Sequence, residues 1–194
     1  MPSLDHIVTA ISPEATAASA LRVATLLAES TGARLTQYSL ANLVPAGGQL
    51  AGIEIPRFAE RVGAGLIVLP RLKLGGDPLA DAVTRRSHVP CLTVPSEHED
   101  LGRWLIALDG SPRCQAALAA LVQPLLKALG GTATTLQVRE GDVFEGILRT
   151  RSAEGAGVLA LCSRPGGPPP PIPSGSLARR LVSEAACMVL TVPI

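Results

Sequence analysis

The chain repeats itself. Leu92-Thr93-Val94-Pro95 returns as Leu190-Thr191-Val192-Pro193, 98 positions later. At the same offset Gly32-Ala33 faces Gly130-Gly131 and Leu79-Ala80 faces Leu177-Ala178, while Gly63-Ala64-Gly65 faces Gly155-Ala156-Gly157 at an offset of 92. An offset that drifts by only a few residues marks two copies of one domain-sized unit with loop deletions between them, not a short stacked repeat. Each copy is under 100 of the 194 residues, so two units sharing an interface are expected rather than two independent globules.

The local pattern is the same in both copies. Short β-branched or apolar runs (His6–Ser12, Trp104–Leu108) predict buried strands, and each is followed by an Ala/Leu-rich helical stretch, Glu14–Thr31 and Pro112–Leu129. Pro112 suits a first helical turn, and Gly32 and Gly130 suit the stops; Pro124 inside the second stretch predicts a kink or a break. Strands at Arg34–Leu40 and Thr132–Arg139, helices at Ile53–Val62 and Val143–Ala153, strands at Gly65–Leu69 and Gly157–Leu161, and helices at Pro78–Ser87 and Ser176–Ala185 follow, each copy closing on its Leu-Thr-Val-Pro strand. Alternation of this kind predicts an α/β chain of two Rossmann-like units with mostly parallel sheets: residues 1–95, a charged linker at 96–103, and residues 104–194. The two closing strands would each be an apolar edge with unpaired amides. Pairing them across a pseudo-two-fold axis removes both edges, and this pseudo-dimer is the expected joint.

Composition narrows the function classes. Seventeen basic and 16 acidic residues nearly cancel, and one Trp, one Tyr and two Phe offer no platform for stacking bases, so nucleic acid is not an expected partner. No run approaches the roughly 20 apolar residues of a membrane helix. The N-terminal MPSLDHIVTAIS lacks a basic region before its apolar run, which predicts no secretory signal and a cytoplasmic protein. The four cysteines at 91, 114, 162 and 187 have no CxxC spacing and read as small buried hydrophobes. Cys162 stands apart, since a strand-end thiol beside Arg164 is open to a lowered pKa. His6, His88 and His98 have no ligand-type partners at metal-binding spacing.

The copies differ where ligands bind in open α/β sheets, beyond the carboxyl ends of the strands. The second copy has Asp109-Gly110-Ser111 after its first strand, with a carboxylate able to accept ribose hydroxyls, and Val138 at the end of its second, where backbone groups meet a base edge. Gly175-Ser176 opens its last helix, offering N–H groups and a hydroxyl to phosphate, with Arg164, Gly166 and Gly167 in the preceding segment and Arg179 and Arg180 a turn later. Read structurally, Gly-Ser before a helix is an N-cap. The first copy has Ser12 for the Asp and Asp77-Pro78 for Gly-Ser; Asp77 reads as an N-cap with Pro78 at N1, Arg71 and Lys73 read as solvated loop charges, and no nucleotide is expected there.

WLIALDGS at 104–111, EGAGVLALCSR at 154–164 and GSLARRL at 175–181 together resemble the universal stress protein family, in tandem form; the resemblance covers most of 104–194 and, more weakly, 6–95. It implies an adenine-nucleotide-binding α/β fold of the adenine nucleotide alpha hydrolase type and a non-enzymatic role in stress response. It also implies ATP or AMP as ligand, with Mg²⁺ open, protein partners, and further pairing into a homodimer open. The family's phosphate motif, Gly-x2-Gly-x9-Gly-Ser/Thr, matches at Gly175-Ser176, but its two earlier glycines fall on Cys162 and Pro165. The segment from Pro165 to Ser174 holds six prolines, each lacking an N–H for phosphate. Both copies also lack one of the family's βα units between second and fourth strand. Three readings stay open: a nucleotide-linked regulator with one retained site; a nucleotide-free interaction module whose proline segment is a binding surface; and a nucleotide hydrolase or thiol enzyme using Cys162.

Overall fold

The computed structural model describes residues 4–11, 17–40, 48–71, 77–97, 100–137, 142–164 and 177–194. The described chain alternates strands and helices: β1 (His6–Ile11), α1 (Ala17–Thr31), β2 (Arg34–Ser39), α2 (Gly48–Arg61), β3 (Leu66–Arg71), α3 (Pro78–Arg86) and β4 (Cys91–Pro95), then β5 (Arg103–Ala107), α4 (Pro112–Leu129), β6 (Thr132–Leu136), α5 (Val143–Glu154), β7 (Val158–Ser163), α6 (Leu177–Glu184) and β8 (Met188–Pro193). Strand order is β2-β1-β3-β4-β8-β7-β5-β6, one sheet of eight strands. Each half is parallel throughout, and the two join antiparallel at β4 and β8.

That joint is the edge-to-edge pairing the repeated strands predict. Leu92 lies opposite Leu190, flanked by Cys91 opposite Thr191 and Thr93 opposite Val189. The threonines satisfy themselves across it: Thr93 Oγ1 donates to the Val189 carbonyl (3.2 Å) and Thr191 Oγ1 to the Cys91 carbonyl (3.3 Å). All six side chains are buried. Two apolar edges have become the centre of one sheet.

The faces are covered differently. On one, α1 and α4 pack over both halves in a single core that joins Val23 and Leu27 to Leu118 and Leu125 through Leu92 and Leu190. On the other, α2 and α3 cover the first half around Ile55 and Val83, and α5 and α6 cover the second around Ile147 and Leu181. Ala80 of α3 joins the second of these clusters, so α3 and α6 meet across the joint.

Two helices carry a proline inside them. α4 runs unbroken through Pro124. Pro124 and Ala120 lie on its exposed side, so the carbonyl deprived of a partner faces water rather than the core. α2 begins earlier than the pattern suggests and contains Pro56. It packs closely on α3: a Cβ added at Gly52 would lie 2.5 Å from Ala82 Cβ and 3.0 Å from Ala82 C. Gly52→Ala gains about 1 kcal/mol of helix propensity but meets an overpacking cost of roughly 1–3 kcal/mol, with backbone as one obstacle. Thermal denaturation is expected to show a net loss of stability; a raised melting point would contradict this packing.

Among the described residues, no helix is long and apolar enough to cross a membrane.

Candidate functional site

The carboxyl ends of β5, β6 and β7 face a cleft of about 320 Å³. Its walls are apolar, from Leu108, Leu136, Val143, Ile147, Leu161 and Ile194, and its polar groups are Asp109, Cys114, Cys162, Ser163 and Arg164. Strand ends (Leu108, Leu136, Leu161), the first turns of α5 (Val143, Ile147) and Ile194 after β8 together make the wall.

Asp109 is placed by the turn into α4. Its Oδ1 accepts the Ser111 N–H at 2.8 Å, while Ser111 Oγ accepts the Cys114 N–H at 3.2 Å and caps the helix. Gly110 between them has φ +83°, which a side chain would strain. The Ser111 backbone N–H, then the Ser111 hydroxyl, the Cys114 thiol and the Arg164 guanidinium hold the Asp109 carboxyl below its usual range, against a smaller opposing effect of desolvation. The exposed Asp109 therefore presents a carboxylate, not an acid, at the cleft.

Cys162 does not behave as its neighbour Arg164 led us to expect. Burial pushes its thiol pKa up, and the Cys114 thiol and the Asp109 charge push it further. Its Sγ donates to the Cys114 carbonyl at 3.6 Å. A thiol held protonated is a poor nucleophile. Cys91 is likewise pushed up to about 12 by burial.

Of the predicted site residues, Asp109, Gly110, Ser111 and Arg164 come together at the cleft or the turn beneath it. Val138, Gly166, Gly167, Gly175 and Ser176 lie outside the described residues, as do Ser12, Lys73 and His98. Arg179 and Arg180 are engaged elsewhere: Arg179 Nε lies 3.0 Å from Asp81 Oδ1, and Arg180 sits 3.8 Å over the Phe144 ring and 3.8 Å from Glu184. The apolar wall escaped the sequence reading. Leu136 and Leu161, at or near the ends of predicted strands, were its available signal; Ile194 is held beside the site by its N–H bond to the Ser163 carbonyl (3.0 Å) and by packing on the core.

In the first half Asp77 is buried and caps α3, accepting from Leu79 N (2.9 Å) and Ala80 N (3.2 Å), with Pro78 following as expected. Arg71 corrects the reading of a solvated charge. It ends β3, is buried, and its Nη1 donates to the Val182 carbonyl of α6 at 3.1 Å. A guanidinium there satisfies a carbonyl that the helix end leaves open and complements the negative end of α6. Burial nevertheless lowers its pKa. His6 is structural too, bonded to the Val62 carbonyl (2.9 Å) and Thr36 Oγ1 (2.8 Å). Among the described residues no three His, Cys, Asp or Glu side chains gather as a metal site.

No protein-family model matches the sequence, and no curated protein matches it. Solved structures match its fold. A universal stress protein from Archaeoglobus fulgidus DSM 4304 aligns over 98% of this chain and 99% of its own, with TM-score 0.75 and 13% identity. A protein assigned as a universal stress protein, from Pseudomonas aeruginosa UCBPP-PA14, aligns over 99% and 94%, with TM-score 0.69 and 16% identity. A functionally unknown protein from Pseudomonas aeruginosa PAO1 aligns over 97% and 81%, with TM-score 0.58 and 15% identity. At such identities the likeness establishes the fold: the α/β arrangement found in universal stress proteins.

Proposed function

We propose that this chain is a universal-stress-type protein of tandem form that holds one adenine nucleotide, ATP or AMP, in the cleft of its second half and does no chemistry on it. The observation that carries this reading is an ionised Asp109 at the mouth of an apolar cleft on the carboxyl edge of a parallel sheet. The apolar wall suits a base. Asp109 accepts from the Ser111 N–H and is also influenced by the Ser111 hydroxyl and the Cys114 thiol, and a carboxylate's roughly four acceptor positions leave room for a ribose hydroxyl. Arg164 supplies a cation to the cleft. A protonated Cys162 and the lack of histidine among the cleft's described residues speak for binding rather than turnover. Among the described residues of the first half, Asp77 is committed to capping α3 and Arg71 to α6.

Displacement of a fluorescent ATP analogue tests the site. Asp109→Ala is expected to weaken binding at least about tenfold, the effect of losing a hydrogen bond to a charged group. Asp77→Ala is expected to leave affinity unchanged while costing about 1 kcal/mol of stability through its cap. Because the Asp109 carboxyl is held low, the advantage of wild type over Asp109→Ala should be constant from about pH 8 to 5 and be lost only as the pH falls below about 4, where the carboxylate takes up its proton. A midpoint near pH 6 would mean that another group governs the site.

A further inference from the structure

The four cysteines are not equivalent. Cys91, Cys114 and Cys187 are buried, and Cys162 is half-buried. Cys114 and Cys162 both line the cleft. They are 48 residues apart in the chain, yet Cys162 Sγ lies 3.6 Å from the Cys114 carbonyl, and the two thiols are in hydrogen-bonding contact. Two periodicities bring them together. Val158, Ala160 and Cys162 alternate onto the face of β7 that α4 covers, and Cys114, Leu118, Val122 and Leu125 form the stripe of α4 that packs there.

The first half cannot build the same pair. Its sequence holds one cysteine, Cys91, which lies opposite Thr191 in the β4–β8 joint. Pro70 pairs with Val94 as Cys162 pairs with Val192, so a proline occupies the position of the half-buried thiol. Cys91 and Cys187 are 1% and 0% exposed, which leaves Cys162 as the thiol open to a reagent. Cys114 stands behind it in the first turn of α4, its N–H held by Ser111 Oγ at 3.2 Å. An accessible thiol backed by a second one in contact is the arrangement that resolves oxidation into a disulfide.

We propose that Cys114 and Cys162 are a reversible thiol–disulfide pair, closed by exchange with a low-molecular-weight disulfide that enters through the cleft. Cys162 attacks the reagent as its thiolate; one reagent sulfur leaves as a thiol, and a mixed disulfide forms at Cys162. Cys114 then attacks Cys162 Sγ and expels the second reagent thiol. Two cysteine thiols are oxidised by two electrons, the reagent disulfide is reduced to two thiols, and the two cysteine protons end on them. The raised pKa of Cys162 slows the first step but does not set the end point. A pair is strongly oxidising when ionisation stabilises its reduced form, and burial withholds that here. The closed disulfide staples the first turn of α4, and with it the Asp109-Gly110-Ser111 turn, to the end of β7. The pair closes or stays open whether or not the cleft takes a nucleotide.

The full chain is equilibrated with glutathione disulfide and reduced glutathione at a series of ratios, quenched in acid, unfolded, alkylated and mapped as peptides by mass spectrometry. Wild type is expected to lose two of its four alkylatable thiols and to yield a Cys114–Cys162 cross-linked peptide, while Cys91 and Cys187 stay alkylated. Excess dithiothreitol should return all four. Cys114→Ser should instead hold one glutathione on Cys162, because the resolving thiol is gone. Four alkylated cysteines in wild type at about 10 mM glutathione disulfide, a stable glutathione adduct on wild-type Cys162, or a disulfide that includes Cys91 or Cys187 overturns the proposal. Each of these results is read on wild type, so none depends on the folding of a variant.

Discussion

Leu190→Asp is expected to lower the melting temperature by about 10–20 °C, the effect of a loss on the order of 5 kcal/mol in a chain of this size. Leu190 is fully buried and lies opposite Leu92 at the centre of the β4–β8 pairing. The substitution removes a packed side chain from the core shared by α1 and α4 and puts a carboxyl among apolar neighbours. The carboxyl either stays charged without a partner or takes a proton at a cost in free energy. Either way the joint between the halves bears the loss, a large part of the ~5–15 kcal/mol by which a domain is stable. Leu190→Met, which keeps the volume, should cost less than about 1.5 kcal/mol. Equal melting points for Leu190→Asp and wild type would mean that this edge is not the joint.

Trp104→Ala is expected to cost roughly 3–5 kcal/mol. Trp104 is the chain's one tryptophan, is 1% exposed, and belongs to the core common to both halves. Its Nε1 donates to the Leu101 carbonyl at 2.7 Å, which anchors the segment entering β5. Truncation opens a large cavity and leaves that carbonyl without its donor. Trp104→Phe should fall between, keeping most of the apolar area but not the hydrogen bond. Circular dichroism on heating reads both variants, and a shift below about 3 °C for Trp104→Ala would contradict the packing. In the wild type, Trp104 emission should be blue-shifted and move red in one step on unfolding.

Much of this fold is visible before any coordinates. Strand–helix alternation survives as periodicity, because a strand covered on both faces must be an apolar run and the helices must show a stripe. The repeated Leu-Thr-Val-Pro strands also foretold their own pairing, since two identical apolar edges have an obvious partner in each other. Pro124 does not split α4 in two, because a proline's cost depends on what faces the orphaned carbonyl and this one lies on the exposed side. Arg71 did mislead: charge near a loop reads as solvated, whereas its partner is a helix carbonyl 111 residues away. At the candidate site, Asp109-Gly110-Ser111 carried a local signal in its turn chemistry. Arg164 was legible as a neighbour but not in its effect: it helps lower the Asp109 carboxyl, while burial raises the Cys162 thiol. Ile194 and Val143 carried no local signal, since only the folded sheet brings them to the cleft.

The central claim, that one of two similar halves keeps a nucleotide cleft, is tested most directly by calorimetric titration of nucleotide-stripped protein with ATP and AMP, with and without Mg²⁺. The account predicts a single saturable site per chain that disappears in Asp109→Ala and persists in Asp77→Ala. Two sites per chain, a site indifferent to Asp109, or no saturable heat at millimolar nucleotide would contradict it.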